Sequence, residues 1–296
     1  MARREGKWRV KELGLEAGYR YLKFTLGTEF LHYGLFEPDI PVKFENLKAA
    51  QERYTQRLIE AIPAGTQTIL DVGCGSGAMA HRLIQQGYCV DCVAPGEALT
   101  AIAAERLGGL ATIYRGRFET LEIPARYDLV LFSESLQYIA PEVALGKSLA
   151  LLKPSGHLLI CDFFSDKTKG KSPMGGGHPY DSWCETLSRH PIDIVLEREI
   201  TAETAPTHDI ARSFMREVAR PVWESSMVTA AKNWPLATRF GRWLFRKQIR
   251  RFEQDQLPVE ISGAVFRHFK IYKTYLLRAQ PQAAAADHAT EAAVIE

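Results

Sequence analysis

The sequence holds no uninterrupted apolar run long enough to span a bilayer, and we expect no transmembrane helix. Its start, MARREGKWRV, is basic but carries no apolar h-region, so no secretory signal is expected and the location expected is cytoplasmic. Cysteine is scarce. The five residues Cys74, Cys89, Cys92, Cys161 and Cys184 are an odd number and suit reduced thiols rather than a disulfide framework. Cys89 and Cys92 form a lone CxxC, with no second pair to complete a structural zinc site. On a strand, a spacing of three puts them on opposite faces. No metal is expected. A net charge of +2 is too small to argue for a nucleic-acid partner. There is no internal repeat.

The 296 residues, 46% of them hydrophobic, are enough for a large α/β domain. Leu47, Ala50, Tyr54, Leu58 and Ile62 recur at helical spacing, and Pro63-Ala-Gly65 ends that helix. Strand and helix patterns then alternate. Strands are predicted over Thr68–Val72, Tyr88–Val93, Ala111–Tyr114, Asp128–Phe132 and His157–Phe163. Helices are predicted over Ala78–Gln86, Glu97–Leu107 and Val143–Leu152, the last closed by Lys153-Pro154. Asp181–Arg189 reads as a helix, and Ile192–Ile200 and Lys270–Leu277 as two further strands. The alternation predicts a doubly wound, seven-stranded, mostly parallel sheet with a helical insertion before the last strand. We divide the chain into an amino-terminal helical lid segment (1–41), in which the aromatic stretch 17–40 reads as short helices and a loop, a core (42–202), a helical insertion expected to cover the acceptor (203–262), a last strand (263–278) and a low-complexity, disordered tail (279–296).

Between the first strand and its helix lies LDVGCGSGAMA, with Asp71 before Gly73, Gly75 and Gly77. Ligands of doubly wound sheets bind at this edge, and glycine lets a ligand approach the main chain closely. The GxGxG spacing differs from the GxGxxG of a dinucleotide site, and no GK[ST] follows to make a P-loop. ILDVGCGSGAMA, then YDLVLFSESLQYI and LLKPSGHLLICDF in that order, resembles the class I S-adenosylmethionine-dependent methyltransferases. The resemblance covers roughly Leu47 to Phe163 and implies a Rossmann-like fold with an antiparallel last strand. It also implies S-adenosylmethionine as cofactor.

The same resemblance implies a set of site residues. Gly73, Gly75 and Gly77, with Cys74 between them, would let the loop pass under the methionine part of the cofactor, and Asp71 would orient that loop or hold a water near the amino group. Ser133 and Glu134 would border the methyl donor, Phe118 the adenine, and Tyr33 the cofactor carboxylate. The family's second strand usually ends in an acid that binds the ribose, but here Ala94 and Pro95 stand in VDCVAPGEAL, with Glu97 near enough to reach back. Arg117 holds another position that is often acidic. These departures keep open a second reading, a cofactor-binding protein of this fold without methyl transfer. A packing turn remains the alternative for the glycines, and an aromatic packed at the sheet edge for Tyr33.

Methyl transfer is an in-line displacement in which alignment supplies much of the rate, and an oxygen acceptor usually needs a base as well. His32, His178, Tyr138 and His208 are the candidates, set against the alternative that a lone loop histidine is a surface residue. The acceptor expected is a small organic molecule. In LATRFGRWLFRKQIRRFEQ, Arg239, Arg242, Arg246 and Arg250 fall on one helical stripe flanked by aromatics. Such a helix suits peripheral contact with a membrane surface, and equally an insertion helix whose apolar sides pack on the domain.

Overall fold

The computed structural model describes residues 2–123, 127–249 and 261–280. Helix α1 (Ala2–Leu26) leads through an extended segment to α2 (Leu47–Glu60). The core then alternates as β1 (Thr68–Val72), α3 (Ala78–Gln85), β2 (Cys89–Ala94), α4 (Glu97–Leu107), β3 (Ile113–Arg115), β4 (Tyr127–Ser133), α5 (Pro141–Leu151), β5 (Leu152–Ser165), α6 (Tyr180–Ser188) and β6 (Ile192–Glu199). Helices α7 (Thr201–Thr204), α8 (Pro206–Phe214), α9 (Arg220–Asn233) and α10 (Pro235–Leu244) follow. Helix α11 (Gly263–Phe269) and β7 (Lys270–Ala279) close the described chain.

The seven strands lie in the order β3-β2-β1-β4-β5-β7-β6. Every pair from β3 to β5 is parallel, and β7 runs antiparallel to both β5 and β6. This is the expected sheet, with its antiparallel last strand. Successive side chains of a strand point to opposite faces, so the sheet builds two cores. Ile69, Leu131, Leu159 and Tyr272 pack with Tyr54 and Leu83 on one side. Leu70, Val130, Leu158 and Tyr275 pack with Phe132 and Trp183 on the other.

Three elements differ from their sequence patterns. The amino-terminal segment begins as one long helix, α1, rather than several short ones. Strand β5 starts at Leu152 and runs through Lys153-Pro154, because Leu152 still pairs with Tyr127 before an irregularity in β5 that resumes pairing at His157 with Leu129. The arginine helix is not continuous. It ends at Leu244, and Phe245 leaves helical geometry, so Arg246 does not extend the stripe of Arg239 and Arg242. Arg250 and the tail from residue 281 lie outside the described residues.

Candidate cofactor cavity

A cavity of about 300 Å³ opens at the carboxyl ends of β1, β2 and β4. Its floor is the glycine loop. Gly73 and Cys74 both donate backbone N–H bonds to the Val93 carbonyl, at 2.8 and 3.2 Å. All three loop glycines have positive φ, the left-handed region that only glycine enters cheaply, but their surroundings differ. A Cβ on Gly73 would lie 2.5 Å from Ser135 Cβ, and one on Gly77 would lie 3.1 Å from Ala103. A Cβ on Gly75 would meet only Leu31 Cδ1, at 3.7 Å, where the loop faces the cavity. Gly73 and Gly77 are therefore glycines for packing as well, and Gly77 is not part of the lining.

Asp71 stands under the loop with its carboxyl fully desolvated, which pushes it up to about 7. Its Oδ2 is buried with no hydrogen-bond partner among the described residues. A polar atom left this way is costly unless a ligand or water completes it. Glu134 follows β4 at φ 56, an uncommon conformation for a residue with a side chain. Its Oε1 accepts from the Tyr33 backbone N–H and from the Tyr272 hydroxyl, both at 2.7 Å. Burial pushes its carboxyl up to about 8. Ser133, Ala94 and Pro95 complete the walls on this side.

Phe30 to Tyr33 roof the cavity. Gln51 pins this segment by donating to the carbonyls of His32 and Phe30, at 2.7 and 3.2 Å. Gly34 N–H donates to Thr207 Oγ1 at 3.0 Å, and Phe36 N–H to the Glu203 carbonyl at 2.8 Å, so the roof is tied to the helical insertion. The Tyr33 ring sits among Phe163, His208, Phe266 and Tyr272, and burial holds its hydroxyl protonated.

Four residues singled out in the sequence stand elsewhere. Phe118 packs edge-to-face on Phe132 at 5.8 Å, with the Lys147 ammonium 5.1 Å from its ring, and is core rather than wall. Arg117 is exposed and pairs with Glu119 at 2.6 Å. Glu97 does not line the cavity. His178 Nε2 lies 3.1 and 2.8 Å from the carbonyls of Leu136 and Ile139. A nitrogen bonded to two carbonyls is the N–H donor, so His178 braces the turn after β4, and it does not line the cavity where the base was expected.

His32 lines the cavity, but both ring nitrogens are in use. Nδ1 donates to its neighbour's carbonyl, that of Tyr33, at 2.9 Å, which leaves Nε2 to accept from the Thr55 hydroxyl at 3.1 Å. Burial lowers its pKa to about 4, so the ring is neutral and has no site left for a substrate proton. Tyr138 reaches the cavity and is 44% exposed. Burial and the nearby carboxylates of Asp162 and Glu134 push its hydroxyl up to about 12, so it acts as a hydroxyl rather than a phenolate. The sequence reading missed Asp162, whose carboxylate takes the backbone N–H groups of Gln137 at 3.0 Å and Phe163 at 2.8 Å. Its signal was there: an acid inside the apolar run HLLICDFF of a central strand has to be buried and bonded. Glu12 also lines the cavity, and no local pattern marks it.

Residues 69–156 match the methyltransferase domain family. An uncharacterized methyltransferase of Bacillus cytotoxicus is 26% identical over 185 residues, which are 56% of this chain and 86% of that protein. Among solved structures, geranyl diphosphate C-methyltransferase from Streptomyces coelicolor A3(2), in complex with Mg2+, geranyl-S-thiolodiphosphate and S-adenosyl-L-homocysteine, is similar in fold. Its TM-score is 0.60 at 12% identity, over 90% of this chain and 97% of that one. The 4+2 cyclase SpnF gives the same TM-score at 20% identity, over 85% and 88% of the two chains. Residues 69–156 thus form a methyltransferase domain, and the sheet order and glycine loop agree with the resemblance to the class I S-adenosylmethionine-dependent methyltransferases.

Proposed function

We propose that the protein transfers a methyl group from S-adenosylmethionine to a small, lipophilic or anionic organic acceptor. The observation that carries this reading is the roofed cavity over Gly75, with the unpartnered Asp71 Oδ2 beneath it. Asp71, Gly73, Cys74 and Gly75 would hold the methionine end of the cofactor, with Tyr33, Ser133 and Glu134 near the reacting sulfur. The bound cofactor supplies an electrophilic methyl group. The chain's part is to align the acceptor, exclude water and remove a proton where the acceptor carries one. Asp71 and Glu134 are the cavity carboxyls whose pKa lies near neutrality; Asp71 sits under the loop, and Glu134, just after β4, is our candidate for that proton.

The acceptor class is inferred from the insertion. Leu236, Phe240 and Trp243 are 62–82% exposed on α10. From Lys232 to Ile249 the chain carries five cations and no carboxylate. An exposed apolar face flanked by arginines complements an anionic lipid surface, with the aromatics in the interface and the guanidinium groups on phosphates. That α10 buries no residue supports this reading over the alternative of apolar sides packed on the domain. We assign the described parts of 1–41 and 203–262 as the cover of the acceptor side.

Methyl-labelled S-adenosylmethionine offered together with a lipid extract and a pool of water-soluble metabolites tests this reading. Label in the organic phase is expected. Label confined to the aqueous pool would refute the lipophilic acceptor. Tight cofactor binding with no label anywhere would favour a protein of this fold that does other chemistry.

A further inference from the structure

The wall of the cavity formed by Ala94, Pro95 and Gly96 offers no side-chain acceptor of its own. Three carboxylates line the cavity: Glu12, Asp71 and Glu134. Asp71 lies under the glycine loop, and Glu134 already accepts from Tyr33 and Tyr272. Glu12 stands against the bare wall. Its Oε1 accepts the Ala98 backbone N–H at 2.9 Å, in the first turn of α4.

Two observations show that this wall is shaped around Glu12. Gly96 has φ −92 and ψ 142, extended backbone open to any residue, so its conformation does not call for glycine. A Cβ there would lie 2.7 Å from Glu12 Oε1 and 3.1 Å from its Cδ, so a side chain at 96 would push the Glu12 carboxyl off this wall. The second observation is how α1 is held. Tyr19, seven residues on and so on the same face, is buried, and its hydroxyl accepts from Arg106 Nη2 at 3.2 Å. Arg106 pairs with Glu29 at 2.6 Å. Glu12 with Ala98 and Tyr19 with Arg106 fix α1 along α4 at two places, and the first of them brings a carboxylate to the cavity.

We infer that Glu12 is the residue that receives the cofactor's ribose hydroxyls, a carboxylate brought by the amino-terminal helix to a wall where β2 ends in alanine. The inference rests on the S-adenosylmethionine reading above. A carboxylate is acceptor-only, and its two oxygens suit two neighbouring hydroxyls. The first turn of α4 favours negative charge at this point. Half of the ribose site then belongs to a helix outside the sheet, and cofactor binding is coupled to the docking of α1.

Calorimetric titration with S-adenosylhomocysteine and with its 2′-deoxy analogue tests this on the full chain, with circular dichroism to check folding. Hydrogen bonds to a charged group are strong enough that Glu12→Ala should weaken S-adenosylhomocysteine roughly tenfold to a hundredfold. Glu12→Gln keeps an oxygen for Ala98 and should fall between. The wild type should discriminate against the 2′-deoxy analogue, and Glu12→Ala should not. Adding Ala94→Asp to Glu12→Ala should restore affinity. Unchanged or tighter binding by Glu12→Ala, or discrimination that persists in it, would overturn the assignment and leave Glu12 as a cap of α4. If the wild type binds neither ligand, the cofactor reading falls, and this one with it.

Discussion

Single residues in the glycine loop separate stability from binding. A side chain on Gly73 meets Ser135 Cβ at 2.5 Å, an atom fixed to its backbone, at φ 84. We expect Gly73→Ala to cost about 1–3 kcal/mol by overpacking, before any backbone strain. A side chain on Gly75 meets open cavity at φ 55, so Gly75→Val should pay ~1–2 kcal/mol of left-handed strain and stay folded. Thermal melts with and without S-adenosylhomocysteine check this. Gly75→Val should lose the ligand-induced rise in Tm, and a full rise in it would move the site elsewhere. The buried carboxyls make a second test. Glu134 is pushed up to about 8, and Asp71 and Asp162 to about 7, by desolvation. In the unfolded chain such groups ionise near ~4. Between those values the folded protein binds protons that the unfolded chain has released, so this contribution is complete at low pH and is lost as pH rises through the folded values. His32 and His208, lowered to about 4, act in the opposite sense but only below pH ~6.5. Lys270, lowered to about 8, also acts oppositely, but only above its folded value. Between pH 6.5 and 8 we therefore expect Tm to fall, and to fall less in Glu134→Gln. A Tm that rises across that window in the wild type would contradict the buried, protonated carboxyls.

At the scale of elements, the roof and the insertion should respond to ligand together. Gly34 and Phe36 hydrogen-bond to Thr207 and to the Glu203 carbonyl, and Ser76 of the glycine loop donates to the Glu29 carbonyl at 2.6 Å. We expect S-adenosylhomocysteine to slow hydrogen exchange in residues 19–36 and in part of 203–249. Protection confined to the glycine loop would mean a preformed roof. Gly27, at φ 61, is the hinge of choice, whereas Gly34 is glycine because a Cβ would lie 2.7 Å from Ala50 Cβ. The sheet was legible from the sequence because its signals are local. Apolar runs such as TILDV and YDLVLFS end in turn residues at β-strand length, and glycine marks the loop that a ligand approaches. What was not legible depends on distant contacts. Glu12 meets Ala98 across 86 positions, and in the sequence it is one more charge on a polar helix. His178 reads as a free loop histidine until the carbonyls of Leu136 and Ile139 come to face it. Phe118 is aligned with a cofactor wall, yet its ring turns onto Phe132 in the core.

On the proposed reading, the sheet edge binds the cofactor and the exposed face of α10 meets a membrane surface. The apolar and arginine-bearing face of α10 should carry the protein to vesicles of anionic phospholipid and not to neutral ones. Cosedimentation should weaken in salt, and a Phe240→Ser, Trp243→Ser variant should stay in the supernatant while still binding S-adenosylhomocysteine. Equal binding to neutral vesicles, or no change in the variant, would remove the membrane from the account. Every part of this reading depends on one claim, that the roofed cavity over Gly75 takes S-adenosylmethionine. Titration calorimetry of the wild-type chain with S-adenosylhomocysteine, beside NADH as the ligand of the competing GxGxxG reading, tests that claim directly. The account predicts saturable one-to-one binding of S-adenosylhomocysteine and no heat from NADH. Absence of binding by the first, or equal binding by the second, would contradict it.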